Sequence, residues 1–352
     1  MLKATWAYYP LHFKQPAGTS RGVLQSKESW FLLLTDAEKP GITGVGECSL
    51  IPGLSIDKRE HVESKLDELC RNINQHQSWQ IENAPYFPSI AFGLETALLD
   101  LHAGGSKILH ENDFTNGQRG ISINGLVWMG DLAFMKKQLA EKIEAGYRCI
   151  KLKIGAIDFA SELELLRGIR NEFNAETIEI RVDANGAFAP AEAPDKLKRL
   201  SAFHLHSIEQ PIRQGQHELM AELCANSPIP VALDEELIGV HHDADRKLLL
   251  NTIKPAYIIL KPSLLGGIYA ADQWVKHAED EHIGWWATSA LESNIGLNAI
   301  AQWVSTKPLS IPQGLGTGQL FTNNIASPLR IRNAQLYYEA GLDWQLKFHG
   351  DA

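Results

Sequence analysis

From about residue 118 onward, short apolar segments alternate with longer segments in which apolar residues recur every three or four positions. The short segments predict β-strands and the longer ones predict amphipathic helices. Strictly alternating strands and helices imply parallel strands joined by crossover helices. We expect a TIM-like (β/α)7β barrel over residues 118–320, an α/β fold, because eight strands fit a closed barrel better than an open sheet. The eight predicted strands are GISINGLVW, CIKLKIG, TIEIRVDANG, LHSIEQPI, IPVALDEEL, AYIILKPS, GWWATSALES and LSIPQGLGTG.

The first 117 residues have a different pattern. RGVLQSKESWFLLLTD and ITGVGECSL predict strands of an antiparallel sheet, with a turn at KPG. KREHVESKLDELCRNINQ and PSIAFGLETALLDLHAGG predict helices. We therefore expect an α+β domain over residues 1–117. RIRNAQLYYEAGLDW predicts strands near the end of the chain, so we expect residues 321–352 to return to this domain and complete it.

Composition narrows the class of protein. The net charge of −9 argues against nucleic acid and anionic membranes as partners, because no basic segment offsets it. No apolar run is long enough to span a bilayer, and the first residues lack the features of a secretory signal. The cysteines are scattered, which disfavours a disulfide framework or a zinc site. We expect a cytoplasmic protein with free thiols.

Two lysines in the segment KLKIG need an explanation. Lys151 and Lys153 are two residues apart in a predicted strand, so both point to the same face. Burying two ammonium groups together is costly unless an anion meets them. Charged residues also end the next four predicted strands, in the order Asp183, Glu209, Asp234 and Lys261. These side chains follow one another at intervals of 25 to 30 residues, about one strand–helix unit, and should therefore meet at the same rim of the barrel.

The alternation of each strand indicates which side chains face the barrel axis. Ile180 and Val182 flank Arg181, and this places Asp183 on the face opposite the apolar residues. The same argument turns Asp234 and Lys261 inward. The alternation around Glu209 is less regular, because Leu205 and Ser207 share its face.

The carboxylates of Asp183, Glu209 and Asp234 would form an all-oxygen site for a hard divalent cation. Mg²⁺ suits such a site best, with Mn²⁺ as the ion that could replace it, whereas zinc would call for histidine or cysteine. One Asp at a strand end is more often a helix cap, and one KxK is more often a solvated edge. A matching set on five consecutive strands favours the metal site. The three lysines and the ion leave the pocket cationic, so we expect a small-molecule carboxylate substrate.

Such a site supports removal of the proton next to a carboxylate. A divalent ion that chelates the carboxylate lowers the energy of the enediolate formed when this proton leaves. A lysine removes the proton only in its neutral form, which burial and neighbouring cations favour. Enolase-superfamily sites that combine a lysine base with magnesium are an established example of this chemistry.

The segments KLKIG, RVDANGAF, SIEQPI, ALDEE and IILKPSLLGG together resemble the enolase superfamily, in its muconate-lactonizing subgroup. The likeness covers nearly the whole chain. GVGECSLIPGLS resembles the capping-domain loop that closes over the substrate, and PSIAFGLETALLDL resembles the helix before the barrel. The resemblance therefore implies that the N-terminal α+β region is a capping domain.

Within the subgroup, PSIAFG, the loop containing PGLS, and ATSALESNIG are most similar to the o-succinylbenzoate synthase family. This resemblance implies a lyase that dehydrates 2-succinyl-6-hydroxy-2,4-cyclohexadiene-1-carboxylate to o-succinylbenzoate in menaquinone synthesis. It implies that Lys153 takes the α-proton, with Lys151 beside it, and that Lys261 stabilises the enediolate. By the same resemblance, Asp183, Glu209 and Asp234 hold Mg²⁺. The implied substrate contacts are Ser55, Asn185, Ser289, Ser293, Gly316 and Thr317.

Other members of the subgroup remain alternatives. Dipeptide epimerases carry a DxD motif at the last strand, where this chain has GLGTGQLF without an acid. N-acylamino acid racemases and muconate-type cycloisomerases share the lysines and the metal ligands, so the catalytic residues alone do not separate them from the synthase. A non-catalytic binding barrel is disfavoured, because the lysines on both sides of the metal site are intact.

Overall fold

The computed structural model describes residues 1–19, 22–128, 130–308 and 310–346. An antiparallel sheet with helices packed against it forms the N-terminal part. Its strands, paired in chain order, are β1 (Leu2–Thr19), β2 (Gly22–Asp36) and β3 (Lys39–Ser49). The helices that follow are α1 (Val62–Arg71), α2 (His76–Asn83) and α3 (Pro88–His102).

Helix α3 packs on this sheet through alternating apolar residues of β2. Trp30 and Leu32 belong to the same buried cluster as Ile90 of the helix. The two backbones come very close, because a Cβ atom added to Gly46 would lie 1.8 Å from the carbonyl oxygen of Gly93. A glycine at position 46 is therefore required by the packing, and α3 begins with a proline, which suits a first helical position.

The N-terminal predictions are confirmed for the strands β2 and β3 and for the helices α1 and α3. The predicted turn at KPG is wrong, because the chain turns at Ala37 and Glu38 and the KPG residues already belong to β3. The long strand β1 was not predicted. Proline interrupts its alternation twice, and its pairing with β2 shifts between His12 and Ala17, so the period of two is broken along its length.

Parallel strands alternate with helices from residue 125 onward. Within the described residues, the strands β5 to β11 form one curled sheet in the order β11-β10-β9-β8-β7-β6-β5. After β4 (Ile121–Ser122), the strands are β5 (Gly125–Val127), β6 (Cys149–Lys153), β7 (Glu179–Asp183), β8 (Ser207–Glu209), β9 (Val231–Leu233), β10 (Tyr257–Leu260) and β11 (Gly284–Ala287). The helices are α4 (Leu132–Glu144), α5 (Phe159–Glu172), α6 (Ala193–Leu200), α7 (His217–Asn226), α8 (Asp243–Ile253), α9 (Pro262–Leu265), α10 (Ile268–Asp280) and α11 (Asn294–Ser305).

The predicted α/β barrel is confirmed, but its first and last strands differ from the prediction. The segment GISINGLVW was expected to be one strand, and it instead divides into β4 and β5, which pair with different sheets. Over 310–318, the described part of the predicted eighth strand, only Gln313 and Gly314 make strand-like bridges, to Ile123 and Thr288. Proline and glycine at three of the positions from 312 to 316 limit this segment to two bridging residues, which close the barrel.

The inward and outward faces of the barrel strands follow the predicted alternation. Ile180 and Val182 lie in the large core between strands and helices. Inside the barrel, Ala232, Ile259 and Trp286 form a separate buried cluster. The guanidinium group of Arg181 lies 4.4 Å from the centre of the Trp286 ring, on the inner face, as expected from its position in the strand.

The end of the chain returns to earlier parts of the structure. The strands β12 (Leu329–Arg332) and β13 (Gln335–Tyr338) are confirmed as strands, and β13 pairs with β4 rather than with the N-terminal sheet. Contact with that sheet comes from the segment before them, through Lys14 N–H to Leu320 O and Thr322 N–H to His12 O. The domain limits at residues 117 and 320 stay a prediction. None of the helices in the described part of the chain is long and apolar enough to cross a membrane.

Candidate active site

A cavity of about 130 Å³ opens at the carboxyl ends of the parallel strands. Its apolar wall includes residues from the loop after β3 (Ile51, Leu54) and from the loop after β11 (Ala290, Leu291). Lys151, Lys153 and Lys261 line the same cavity. The lysines that the sequence identified therefore meet in one pocket, at the rim where active sites of such barrels lie.

Lys151 projects from β6 between two acidic side chains. Its Nζ lies 2.8 Å from Oδ2 of Asp183 and also contacts Oε2 of Glu209. Burial alone would lower the pKa of Lys151, but the charges of Asp183 and Glu209 outweigh it and raise this pKa. Burial likewise acts to raise the pKa of Asp183, but Lys151 and Lys153 hold it well below its usual range.

Lys153 follows on the same face of β6. Its Nζ lies 2.6 Å from Oδ2 of Asp183 and 2.7 Å from Oδ1 of Asn185. Asn185 adopts a left-handed backbone conformation, with φ of 44°, just beyond the end of β7. Its backbone N–H donates to Oδ1 of Asp183 and its side-chain amide donates to Glu235. This strained position sets the Asn185 amide beside the ammonium group of Lys153.

Lys261 reaches the pocket from the other side of the acidic strands. It follows β10, and its Nζ contacts Oδ2 of Asp234. Burial acts to lower the pKa of Lys261, but the neighbouring carboxylates of Asp234 and Glu209 raise it. The strands β7 and β8 end with Asp183 and Glu209, and Asp234 follows β9. These three strands lie between β6, which carries Lys153, and β10, which Lys261 follows.

The acids fit a metal site by their chemistry. Asp183, Glu209 and Asp234 are almost fully buried. Burial, together with the charges of Asp183 and Asp234, raises the pKa of Glu209 well above its usual value, and its Oε1 has no hydrogen-bond partner in the described structure. Lysine ammonium groups contact one oxygen of each acid, namely Oδ2 of Asp183, Oε2 of Glu209 and Oδ2 of Asp234. Among the described residues, no group of three or more histidine, cysteine or acidic side chains is gathered closely enough to hold an ion. An all-oxygen set with an unpartnered buried oxygen suits a hard cation such as Mg²⁺.

The structure separates the predicted substrate contacts into two groups. Asn185, Ser289, Gly316 and Thr317 line the cavity. Ser55 and Ser293 do not belong to the described residues that line the cavity. The Oγ of Ser55 accepts the N–H of Ile51, and the Oγ of Ser293 donates to Glu47. The Ser55 hydroxyl thus holds a backbone amide and the Ser293 hydroxyl holds the Glu47 carboxylate, and contact of either serine with the substrate stays a prediction.

Several further pocket residues were not predicted from the sequence. Asn124, Leu126, Trp128 and Thr288 also line the cavity. The first three occupy every second position of the segment ISINGLVW, and Leu126 pairs with Lys151 across the sheet. The rule of alternation that places Lys151 inward would therefore have found them, had it been applied to the first strand.

Comparisons with known proteins show the family of the chain. The sequence model of the enolase C-terminal domain-like family matches residues 135–341. The o-succinylbenzoate synthase of Desulfotalea psychrophila is 52% identical to the chain, over 91% of this chain and 95% of that protein. The crystal structure of MenC from D. psychrophila LSv54 superposes with a TM-score of 0.86 at 47% identity, covering 96% and 99% of the two chains.

A more distant structure shares the fold. The muconate lactonizing enzyme from Pseudomonas fluorescens, complexed with muconolactone, has a TM-score of 0.83 at 23% identity, covering 98% of this chain and 96% of that chain. At this identity the likeness shows the fold alone. The family match and the 52% identical relative show more, and the chain belongs to the enolase superfamily, in one family with the o-succinylbenzoate synthase of D. psychrophila.

Proposed function

We propose that the protein is an o-succinylbenzoate synthase of menaquinone biosynthesis. It dehydrates 2-succinyl-6-hydroxy-2,4-cyclohexadiene-1-carboxylate to o-succinylbenzoate. The observation that carries the proposal is the pair of lysines on either side of an acidic cluster, in a chain 52% identical to a protein of that name. Lys153 approaches from β6 and Lys261 from the end of β10.

Lys153 is the base in this reaction. Its neutral amine takes the proton from the carbon that bears the substrate carboxylate, and the resulting ammonium group returns a proton to the departing hydroxyl. The C–O bond breaks, water leaves and the ring becomes aromatic, so no oxidant or reductant is needed. Asn185 positions this amine, because its Oδ1 lies 2.7 Å from Nζ of Lys153.

Lys261 stabilises the negative charge that develops on the substrate carboxylate as the proton leaves. Its ammonium form is the form required, and the nearby carboxylates favour that form by raising its pKa. Lys151 neutralises Asp183 and Glu209 and so allows three acids to be buried at one rim. The apolar residues Ile51, Leu54 and Leu291 exclude water from the reacting carbon.

Members of this superfamily generally use Mg²⁺. We infer that Asp183, Glu209 and Asp234 would hold Mg²⁺ here, or Mn²⁺ in its place. A bound divalent ion supplies Lewis-acid stabilisation of the enediolate. The buried, all-oxygen donor set and the unpartnered Oε1 of Glu209 support this assignment.

Racemisation of N-acylamino acids is the second candidate activity. It would use Lys153 and Lys261 as two bases on opposite faces of the α-carbon, and both line the same cavity. A muconate-type cycloisomerase would need the same lysines and acids. We also infer a cytoplasmic location, because the cysteines Cys48, Cys70, Cys149 and Cys224 are free, as is usual in a reducing compartment.

Turnover of the cyclohexadiene substrate tests the proposal directly. Purified protein with Mg²⁺ should convert it to o-succinylbenzoate, followed as a change in ultraviolet absorbance, and a chelator should stop the reaction. An N-succinylamino acid incubated in D₂O provides the parallel arm for racemisation. Absence of turnover above background, with rapid exchange of the amino acid α-proton, would replace the synthase assignment by the racemase.

A further inference from the structure

A buried carboxylate joins the N-terminal sheet to the barrel beside the pocket. Glu47 lies in β3 and is fully buried. One of its oxygens, Oε1, accepts the hydroxyl of Ser29 at 2.7 Å and the N–H of Ser293 at 2.9 Å. The other, Oε2, accepts the hydroxyl of Ser293 at 2.6 Å and the N–H of Gly296 at 2.9 Å. Three of these four bonds cross from the sheet to the beginning of α11.

The beginning of α11 suits a carboxylate for two reasons. The first N–H groups of a helix have no partner within the helix, and the helix dipole places partial positive charge there. Ser293 caps the helix through its own hydroxyl, which accepts the N–H of Ile295. At Gly296 an added Cβ would lie 3.0 Å from Oε2 of Glu47 and 2.7 Å from Cβ of Glu292, so the absence of a side chain there gives Glu47 access.

Further buried charges surround Glu47. Lys27 and Glu292 are both almost completely buried, and the charges of Glu47 and Glu292 act on Lys27. The Nζ of Lys27 contacts the hydroxyl of Ser49, and Oε1 of Glu292 accepts the hydroxyl of Ser263. Burial raises the pKa of Glu292 and lowers the pKa of Lys27, while the two charges oppose these shifts. Oε2 of Glu292 has no hydrogen-bond partner in the described structure, so the buried charges of this network depend on one another for compensation. They compensate one another only while the N-terminal sheet stays in contact with the barrel.

Glu47 is close in sequence to the residues of one pocket wall, and it forms hydrogen bonds to a residue that is close in sequence to the other wall. The pocket residues Ile51 and Leu54 follow it in the loop after β3. On the barrel side, its partner Ser293 comes two residues after Leu291, another pocket residue. The carboxylate thus connects two pocket-lining loops that are more than 230 residues apart in the chain.

We propose that Glu47 is a positioning residue for the reaction, which holds the loop after β3 against the loop after β11 and so sets the width of the pocket. The part of this inference that concerns the substrate rests on the proposed function. The apolar walls contact non-reacting parts of the substrate, and binding there affects the ground state and the transition state alike. Loss of the connection should therefore raise KM more than it lowers kcat.

The test compares Glu47→Gln with Glu95→Gln. The amide introduced by Glu47→Gln keeps the size of the side chain but replaces one accepting oxygen by a donor. Glu95 provides the matched control, because it lies in α3 and accepts the N–H groups of Ile268 and Tyr269 at the beginning of α10. Glu95 and its two partners lie at least seven residues along the chain from any described residue that lines the pocket, whereas Glu47 lies four residues before Ile51.

Hydrogen exchange of the full-length protein is measured first, without substrate. In Glu47→Gln, the amides of Ser293 and Gly296 and those of residues 50–55 should exchange at least about tenfold faster, and in Glu95→Gln they should not. Steady-state kinetics follow. Glu47→Gln should raise KM about tenfold or more with kcat within about threefold of the wild type, and Glu95→Gln should leave KM unchanged.

Unchanged exchange in Glu47→Gln would overturn the proposal, as would faster exchange with an unchanged KM. Equally fast exchange of both loops in Glu95→Gln would also overturn it, because the faster exchange would then follow from the loss of any buried carboxylate and not from the loss of Glu47 in particular. If Glu47→Gln does not fold, Ser29→Ala removes one of the four bonds and should shift exchange and KM in the same direction by a smaller factor. Lack of turnover by the wild type would refute the proposed function, while the exchange result would still decide the role of Glu47.

Discussion

Replacing Lys151 by methionine should make the stability of the protein depend on Mg²⁺. In the structure the Lys151 ammonium group contacts Glu209 and lies 2.8 Å from Asp183, and all three side chains are buried. Removing one partner of a buried ion pair typically costs about 3–5 kcal/mol, because the other charge remains buried without compensation. For a chain of 352 residues, whose entropy of unfolding is about 2.1 cal/mol/K per residue, such a loss lowers the melting temperature by roughly 4–7 °C.

Mg²⁺ should restore much of this loss. In the variant, no ammonium group from Lys151 competes for the carboxylate oxygens, so the ion should bind about tenfold more tightly or better, equivalent to about 1.4 kcal/mol of extra stabilisation at saturation. The assay is thermal unfolding with a chelator and with excess Mg²⁺. Lys136→Met serves as the control, because Lys136 forms only an exposed ion pair with Glu164 and should leave both melting temperatures unchanged.

Two results would refute this reasoning. If Lys151→Met has the same melting temperature as the wild type in the presence of chelator, Lys151 does not neutralise the buried acids. If Mg²⁺ raises the melting temperature of the variant no more than that of the wild type, the ion does not bind at these carboxylates.

Three further predictions follow from other parts of the structure. Lys153→Ala should lower the rate of substrate α-proton exchange in D₂O by roughly 10²–10⁴-fold, and undiminished exchange would assign the base to another residue. Burial raises the pKa of Asp57 to about 6, above its unfolded-state value near 4, so its contribution to stability falls as pH rises through 6. The stability of Asp57→Asn relative to the wild type, measured by urea unfolding, should therefore rise by about 1 kcal/mol from pH 5 to pH 8, and a constant difference would contradict this. Gly46→Ala should destabilise the protein by about 3 kcal/mol or more, because its Cβ would overlap the Gly93 carbonyl. Gly168→Ala, in open space within α5, should instead stabilise the protein by about 0.5–1 kcal/mol, and the reverse order of stability in chemical unfolding would contradict the packing.

The charged rim could be predicted from the sequence because it depends on two simple periods. Alternation within a strand directs Lys151 and Lys153 to one face, and the length of a strand–helix unit returns Asp183 to the same end of the barrel. Both periods follow from backbone geometry and do not depend on side-chain partners. The placement of these residues therefore agrees with the prediction.

The serine hydroxyls could not be assigned in this way. A hydroxyl can donate or accept, and its role depends on which group lies beside it in space. The partner of Ser293 is Glu47, which is 246 residues away in the chain, and no local pattern links the two. The length of the last barrel strand was overestimated for a similar reason. Only Gln313 and Gly314 bridge to the neighbouring segments, and how far this pairing extends depends on the loops on either side.

A crystal structure with Mg²⁺ and o-succinylbenzoate would test the central claim most directly. We predict one ion bound by Asp183, Glu209 and Asp234 at about 2.1 Å, the distance usual for Mg²⁺ and oxygen. We expect the aromatic ring to lie between Lys153 and Lys261, with the ring carboxylate on the ion. An ion bound at other residues, or a product whose ring lies outside the space between the two lysines, would contradict the account.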